Sequence, residues 1–251
     1  SAVTTLRYAP NTAPNTNLPF ALVSQFPNPD LRWEKVRMIN LAFDFASADR
    51  RISGSVEYFN KKDLDLFGAA PLDQTAGLGG SSLTKNVASM EGNGIELNIT
   101  SKNIDRIFKW NTQFLFTYYK DRITDYYITS AGGSNFISNG NVITPLVGKP
   151  VYSILSYPWA GLDPLTGNPQ GIMNGQVSSD YSALTGSQFL IGKLVYNRPA
   201  LPPFYGSLIN TFSWKNLSLS VSVLYKLGDY FRKQSINYSQ LFTYGVGNSD
   251  F

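Results

Sequence analysis

The stretch Asp163-Pro164-Leu165-Thr166-Gly167-Asn168-Pro169-Gln170-Gly171 brings carboxylate, hydroxyl and amide oxygens close together, a donor set suited to a hard cation. The alternating acidic ligands closed by a glutamate that a calcium loop requires are missing. Asp-Pro, Thr-Gly and Asn-Pro are turn formers in series, so the segment reads as consecutive turns and no metal is expected there. Gly77-Leu78-Gly79-Gly80-Ser81-Ser82 has the glycine density of a phosphate-binding loop, but no Gly-Lys-Ser or Gly-Lys-Thr follows and no βαβ pattern surrounds it, which leaves a glycine-rich connection. Asp63 with Asp65, and Asp121 with Asp125, supply carboxylate pairs of the kind that cleave glycosides, yet they read more simply as charges on loop rims. The chain contains no His and no Cys. That removes the commonest general base, the thiolate nucleophile and most zinc sites together, so neither an enzyme nor a resident cofactor is expected.

A different chemistry is concentrated between Asp121 and Pro203. Tyr126, Tyr127, Phe136, Tyr152, Tyr157, Trp159 and Tyr181 make this segment rich in rings that stack on sugars or anchor a protein partner. Within it, Val151 to Leu165 gathers Tyr152, Ile154, Leu155, Tyr157, Trp159 and Leu162 with a single charge, Asp163. An apolar patch of that density needs either a partner or a core of its own. Tyr152, Tyr157, Trp159, Leu162 and Asp163 are therefore the candidate residues for ligand or partner contact.

The elements that carry this segment alternate with period two. Ile39, Leu41, Phe43 and Phe45 are interleaved with Asn40, Ala42 and Asp44, and Ile52, Gly54, Val56 and Tyr58 with Arg51, Ser53, Ser55 and Glu57. Ile95, Leu97 and Ile99 alternate with Glu96, Asn98 and Thr100; beyond a turn, Phe108, Trp110, Phe114 and Phe116 oppose Lys109, Asn111, Gln113 and Thr117. A third hairpin joins about Tyr205–Trp214 to Leu217–Leu227 across Lys215-Asn216, its first strand the least regular, with Asn210 among its outward candidates. Links within hairpins are short, whereas those between hairpins run over about 61–90 and 121–203, far beyond ordinary loops. Trp33, Tyr58, Tyr118, Tyr119, Trp214 and Tyr225 lie towards strand ends, as in an interfacial girdle.

This layout is that of an antiparallel transmembrane β-barrel: short periplasmic turns, long extracellular loops, one apolar and one polar face per strand. The alternative is a soluble β-sandwich, which also alternates but seldom has such loops. About six strands fall short of the smallest closed barrels, so the expectation is a barrel segment. Composition agrees: 43% of residues are hydrophobic, 14% aromatic and only 15% charged. The net charge of +4 is scattered, without the basic patch a nucleic acid needs. No run of about 18 apolar residues is present, which excludes a membrane-spanning helix but not spanning strands.

Several stretches, in order, resemble the SusC/RagA-like TonB-dependent transporters of the outer membrane of Bacteroidetes-type bacteria: NPDLRWEK from Asn28, INLAFDF from Ile39, RISGSVEYFNKKDLDLF from Arg51, MEGNGIELNI from Met90, FKWNTQFLFTYYKDRIT from Phe108, VGKPVYSI from Val147 and YPWAGLDPLTGNPQG from Tyr157. The resemblance implies that residues 1–251 are part of a barrel of about 22 strands, without counterparts of the family's plug domain and TonB-interacting segment. It implies uptake of oligosaccharides or peptides captured with a SusD-like surface lipoprotein, with TonB acting through the plug. The partners would then be that lipoprotein, the remaining barrel and plug, TonB and outer-membrane lipid. Phe251 invites comparison with the terminal aromatic of outer-membrane proteins, but Asn248-Ser249-Asp250 before it does not alternate. A soluble or surface-displayed glycan-binding module is the rival reading, and an outer-membrane enzyme a weaker one for want of His.

Overall fold

The computed structural model describes residues 4–13, 15–72, 82–127, 133–137, 140, 142–186 and 189–233; the glycine-rich stretch at 77–81 and Phe251 lie outside them. In chain order the strands are β1 (Thr5–Thr12), β2 (Pro19–Gln25), β3 (Lys35–Ala46), β4 (Ile52–Pro71), β5 (Ser82–Asp105), β6 (Phe108–Tyr126), β7 (Ser153–Ser156), β8 (Trp159–Leu162), β9 (Pro169–Met173), β10 (Gln176–Ser178), β11 (Val195–Pro199), β12 (Phe204–Trp214) and β13 (Leu217–Leu227). One short helix, α1 (Tyr181–Thr185), and two single 3₁₀ turns complete the described elements. The chain forms two compact units, the first of Ser1–Ser130, Pro145–Val151 and Phe204–Tyr225, the second of Ala131–Thr144, Tyr152–Pro203 and Lys226–Phe251.

The main sheet has six strands in the order β13-β12-β6-β5-β4-β3, and β1 pairs with β2 apart from it. The ladders from β3 to β12 are antiparallel and nearly unbroken. All three hairpins close tightly. At the β3–β4 turn, Ser47 Oγ donates to Asp49 Oδ1 (2.7 Å), which also accepts from the Arg51 amide (3.1 Å), while Arg50 takes the left-handed conformation at φ 54°. These side chains hold a turn that β-branched or apolar residues would not form.

The connection expected over about 61–90 is mostly strand. β4, β5 and β6 are 20, 24 and 19 residues long, about twice what a bilayer crossing needs. Apolar alternation stops near Phe59, so the pattern that finds a half-buried strand is silent beyond it. The extension is held instead by polar groups on the NPDLRWEK segment. The Asn86 side chain accepts from the Arg32 amide and donates to the Arg32 carbonyl, both at 2.8 Å, and Asn28 Nδ2 donates to the Thr84 carbonyl (2.7 Å). Glu34 Oε1 accepts from the Phe67 amide (2.8 Å), and Arg32 and Lys35 lie 2.8 and 3.5 Å from the Asp65 carboxylate. Asp65 itself, at φ 59°, sits where the β4–β5 register shifts. Of the expected Asp121–Pro203 connection, the first residues to Tyr126 belong to β6, and much of the rest forms the second unit.

The second unit pairs β7 with β11 and folds β8, β9 and β10 into a meander. Its core gathers Ile154, Leu155, Leu184, Phe189 and Leu194, of which Leu155 is wholly buried. Asp180 caps α1 by accepting from the Ala183 amide at 3.0 Å.

Candidate functional site

The register sorts the six-stranded sheet into two faces. One row runs Leu41, Tyr58, Ile95, Tyr118, Phe204; the next Phe43, Val56, Leu97, Phe116, Gly206; the next Phe45, Gly54, Ile99, Phe114, Leu208. Tyr225 of β13 joins this face by stacking on Phe114, ring centroids 6.4 Å apart, and its hydroxyl donates to the Leu115 carbonyl (2.8 Å). That reach across β12 is possible only because position 206 is glycine: a Cβ there would stand 2.5 Å from the Tyr225 hydroxyl oxygen. Tyr225 thus lies two residues from the end of β13, on the apolar face. Leu41, Phe43, Leu219 and Val223 remain more than half exposed, so the face is apolar and uncovered over several strands.

The opposite face carries Asp44, Ser55, Asn98 and Ser207, then Glu57, Glu96 and Thr117, then Ser53, Thr100 and Gln113. Ser218 and Ser220 continue it, at 3.2 and 3.3 Å from Ser213 and Thr211. Glu57 and Glu96 stand directly opposite one another, and Asn40 Nδ2 donates to Glu57 Oε2 at 3.3 Å. Leu115 and Ile209 interrupt the polarity. Tyr119, expected in the girdle, belongs to this face, where it stacks on Phe59 at 5.9 Å and lies over Gly92.

Aromatic rows bracket the apolar face. Tyr58, Tyr118 and Phe204 mark the end remote from the hairpin turns, with Tyr118 and Phe204 4.9 Å apart. Phe108, Trp110, Phe212 and Trp214 mark the turn end. From Phe108 to Tyr118 is about 34 Å along the strand, or about 25 Å across a membrane for a tilt of about 40–45°, the height of the apolar band of a transmembrane barrel. Inside that turn-end row lies a polar one: Trp110 Nε1 and Thr112 Oγ1 both donate to Asn210 Oδ1 (2.9 and 2.7 Å), and Asn103 Nδ2 donates to Thr112 Oγ1 (2.6 Å). Trp33 is exposed outside any strand.

The candidate contact residues of the second unit divide. Tyr157 packs edge-on against Phe189 with centroids 5.5 Å apart, its hydroxyl donating to the Thr185 carbonyl (3.5 Å); burial raises its pKa, opposed by the positive charge of Arg232. Tyr152 is half-buried, bridged to Ile143, with its carbonyl accepting from the Ala200 amide (3.0 Å). Asp163 closes its own turn, Oδ1 accepting from the Thr166 and Leu165 amides (2.8 and 2.9 Å) and Oδ2 from Gln170 Nε2 (3.1 Å). Those amide bonds, Thr166 foremost, hold its pKa below the ordinary value. Trp159 and Leu162 are 63% and 61% exposed, and neighbouring Leu165, absent from the candidate set, is 94% exposed. Asp121 and Asp125 fall on β6, where Asp121 Oδ2 accepts from the Val151 amide (2.8 Å), and Asp63 is buried beside Lys61. A feature that alternation alone does not reveal is a row of Arg37, Lys62, Glu91 and Arg122 beyond the aromatic row on the apolar face.

No protein-family model matches the chain. It is 27% identical over 218 residues to TonB-dependent receptor P3 of Formosa agariphila, a match covering 80% of this chain and 21% of the relative. It is 29% identical over 214 residues to TonB-dependent receptor SusC of Bacteroides thetaiotaomicron, covering 81% and 20%. The chain thus spans about a fifth of the length of the curated relatives it matches. Among solved structures, the RagAB peptide transporter superposes with a TM-score of 0.68 at 23% identity, over 90% of this chain and 24% of that one. The "closed-closed" state of the RagAB peptide importer gives 0.65 at 24% identity, over 91% and 24%. In sequence and in fold, the chain is related to a stretch of the barrel of SusC/RagA-like TonB-dependent receptors.

Proposed function

We propose that this chain forms one stretch of the wall of an outer-membrane TonB-dependent importer that takes up oligosaccharides or peptides with a SusD-like surface lipoprotein. The two-faced sheet carries the reading: an apolar band about 25 Å high between aromatic rows, backed by a face of Ser, Thr, Asn, Gln and paired Glu that suits a water-filled lumen. A soluble sandwich would bury that apolar face against a second sheet. The three short turns lie at the periplasmic end, and the β4–β5 extension and the second unit lie outside. Exposed Trp159 and Leu162 are the contacts offered to the lipoprotein or to captured substrate, while Tyr152, Tyr157 and Asp163 hold the loop that presents them. The wall takes part in no covalent step; energy coupling belongs to the plug and TonB.

Relatives named SusC and TonB-dependent receptor, and neighbours named peptide transporter and importer, support the transport reading. Deleting the gene and supplying mixed oligosaccharides or mixed peptides as sole nutrient tests it. Loss of growth on one class, restored by the intact gene, supports import and identifies the class. Undiminished uptake of both overturns it.

A further inference from the structure

On the apolar face the row of Tyr58, Ile95, Tyr118 and Phe204 is followed, two residues further from the turns, by Asn60, Asn93 and Lys120, and after two more by Arg37, Lys62, Glu91 and Arg122. These rows thus hold four cations and a single carboxylate on one face, and Lys35, two residues past Arg37, is paired with Asp65. Glu91 accepts from Arg122 Nε at 2.7 Å and lies 3.5 Å from Lys62 Nζ, which fixes those two cations side by side without neutralising both. Arg37 and Lys120 are exposed and make no ion pair among the described residues. At the opposite end the same face carries Trp110, Phe212 and Trp214, and the nearby Lys102 and Lys109 belong to the polar-face register.

Depth gives this asymmetry a meaning. Lys120 and Arg122 stand about 5 and 10 Å beyond Tyr118 along the membrane normal, at about 3.4 Å per residue and a tilt of about 40–45°. Lys120 thus falls within the layer of lipid headgroups, which adds roughly 5–8 Å to each side of the hydrocarbon core, and the row of Arg37, Lys62 and Arg122 at that layer's outer edge. A charge on this face at this height meets lipid and not lumen. Guanidinium forks at Arg37 and Arg122 and ammonium groups at Lys62 and Lys120 suit the oxygens of phosphate monoesters.

We propose that Arg37, Lys62, Lys120 and Arg122 bind the phosphate-bearing headgroup of a glycolipid in the leaflet on the loop side of the sheet. The inference rests on the membrane-embedded reading of the apolar face.

The test uses the full-length natural protein in nanodiscs doped with diphosphoryl lipid A or with its dephosphorylated form, and native mass spectrometry of the lipid retained after detergent extraction. Diphosphoryl lipid A is retained selectively by the unaltered protein. Arg37→Gln with Lys120→Gln lowers its retention about 25-fold, at about fivefold per surface cation, while Lys102→Gln on the other face leaves it unchanged. A heat-modifiable gel shift confirms that each variant is folded. Equal retention of both lipids, or no loss in the double variant, overturns the headgroup site. Displacement by millimolar inorganic phosphate assigns the row to a soluble anion and overturns the lipid assignment. Failure of the unaltered protein to float with vesicles of any composition overturns the membrane reading itself, an outcome distinct from the others.

Discussion

Trp110 Nε1 donates to Asn210 Oδ1 at 2.9 Å, joining β6 to β12 across 100 residues of sequence, on the face that carries the apolar band. Thr112 Oγ1 donates to the same oxygen at 2.7 Å and accepts from Asn103, so the indole N–H, the Thr112 hydroxyl and the Asn210 carbonyl oxygen all find partners within the sheet. Such closure is what a lipid-facing surface demands, because hydrocarbon offers no substitute donors or acceptors. Asn210→Leu should therefore destabilise by about 1–3 kcal/mol, leaving the indole N–H and the Thr112 hydroxyl without their acceptor. Trp110→Phe should cost less, since Asn210 keeps the Thr112 hydroxyl. Chemical unfolding from lipid vesicles, read by fluorescence of the remaining tryptophans for the second variant, measures both.

Charge should separate the two faces. Val56→Arg, Leu97→Arg or Val221→Arg, each on the apolar face, should destabilise by about 2–4 kcal/mol near the bilayer midplane. Asn98→Arg and Ser220→Arg on the polar face should cost much less. A one-residue slip would exchange the faces, so equal losses at the two sets of positions in a refolding assay would contradict the register.

Alternation between apolar and polar residues made this part of the fold legible. Leu41, Phe43, Phe45, Val56, Leu97 and Phe114 could be assigned to one face from spacing alone, and the turns at Ser47-to-Arg50 and Lys215-Asn216 followed from their chemistry, whereas the turn expected around Asn103 to Arg106 falls at 106–107, because β5 runs on to Asp105. Beyond Phe59 the same strands continue on hydrogen bonds from Asn28 and Asn86 and on ion pairs at Asp65, none of which leaves a period in the sequence. The strands β1 and β2 went unread for a related reason: Thr5–Thr12 holds polar and apolar residues without strict alternation. In the second unit, Tyr157 and Trp159 have the same aromatic character on paper. Only the fold separates a ring set edge-on against Phe189 from one left open.

Trp159→Ala combined with Leu162→Ser should weaken capture of the surface lipoprotein by about tenfold or more, as expected when exposed anchors are truncated. Because both side chains are already exposed, the thermal unfolding midpoint should stay within about 2 °C, a surface change worth less than about 0.5 kcal/mol. Tyr157→Ala should do the reverse, loosening the loop by removing a ring packed on Phe189. Titration of purified lipoprotein against each variant, with unfolding measured in parallel, separates the two roles.

The Asp163 turn should respond to acid. Its carboxylate is stabilised by the Thr166 and Leu165 amides, so its pKa in the folded loop lies below the ordinary value of 3.8. A depressed carboxylate contributes stability above its unfolded pKa and loses it as pH falls through the folded one. Amide protection at Leu165 and Thr166 should therefore hold above about pH 4 and fall as the pH drops below 3.8 towards the folded pKa. Asp163→Asn should show weaker protection at neutral pH and no such transition.

Which face of the sheet meets lipid separates a barrel wall from a soluble sheet. Because the chain has no native cysteine, single cysteines can carry a nitroxide at Phe43, Leu97 and Val223 on one face and at Ser55, Asn98 and Ser220 on the other. Spin-label accessibility in vesicles, with dissolved oxygen as the apolar probe and a neutral nickel chelate as the aqueous one, is the measurement. Oxygen should dominate at Phe43, Leu97 and Val223, and the chelate at Ser55, Asn98 and Ser220. Equal access of the chelate to both sets would contradict a barrel wall in a membrane.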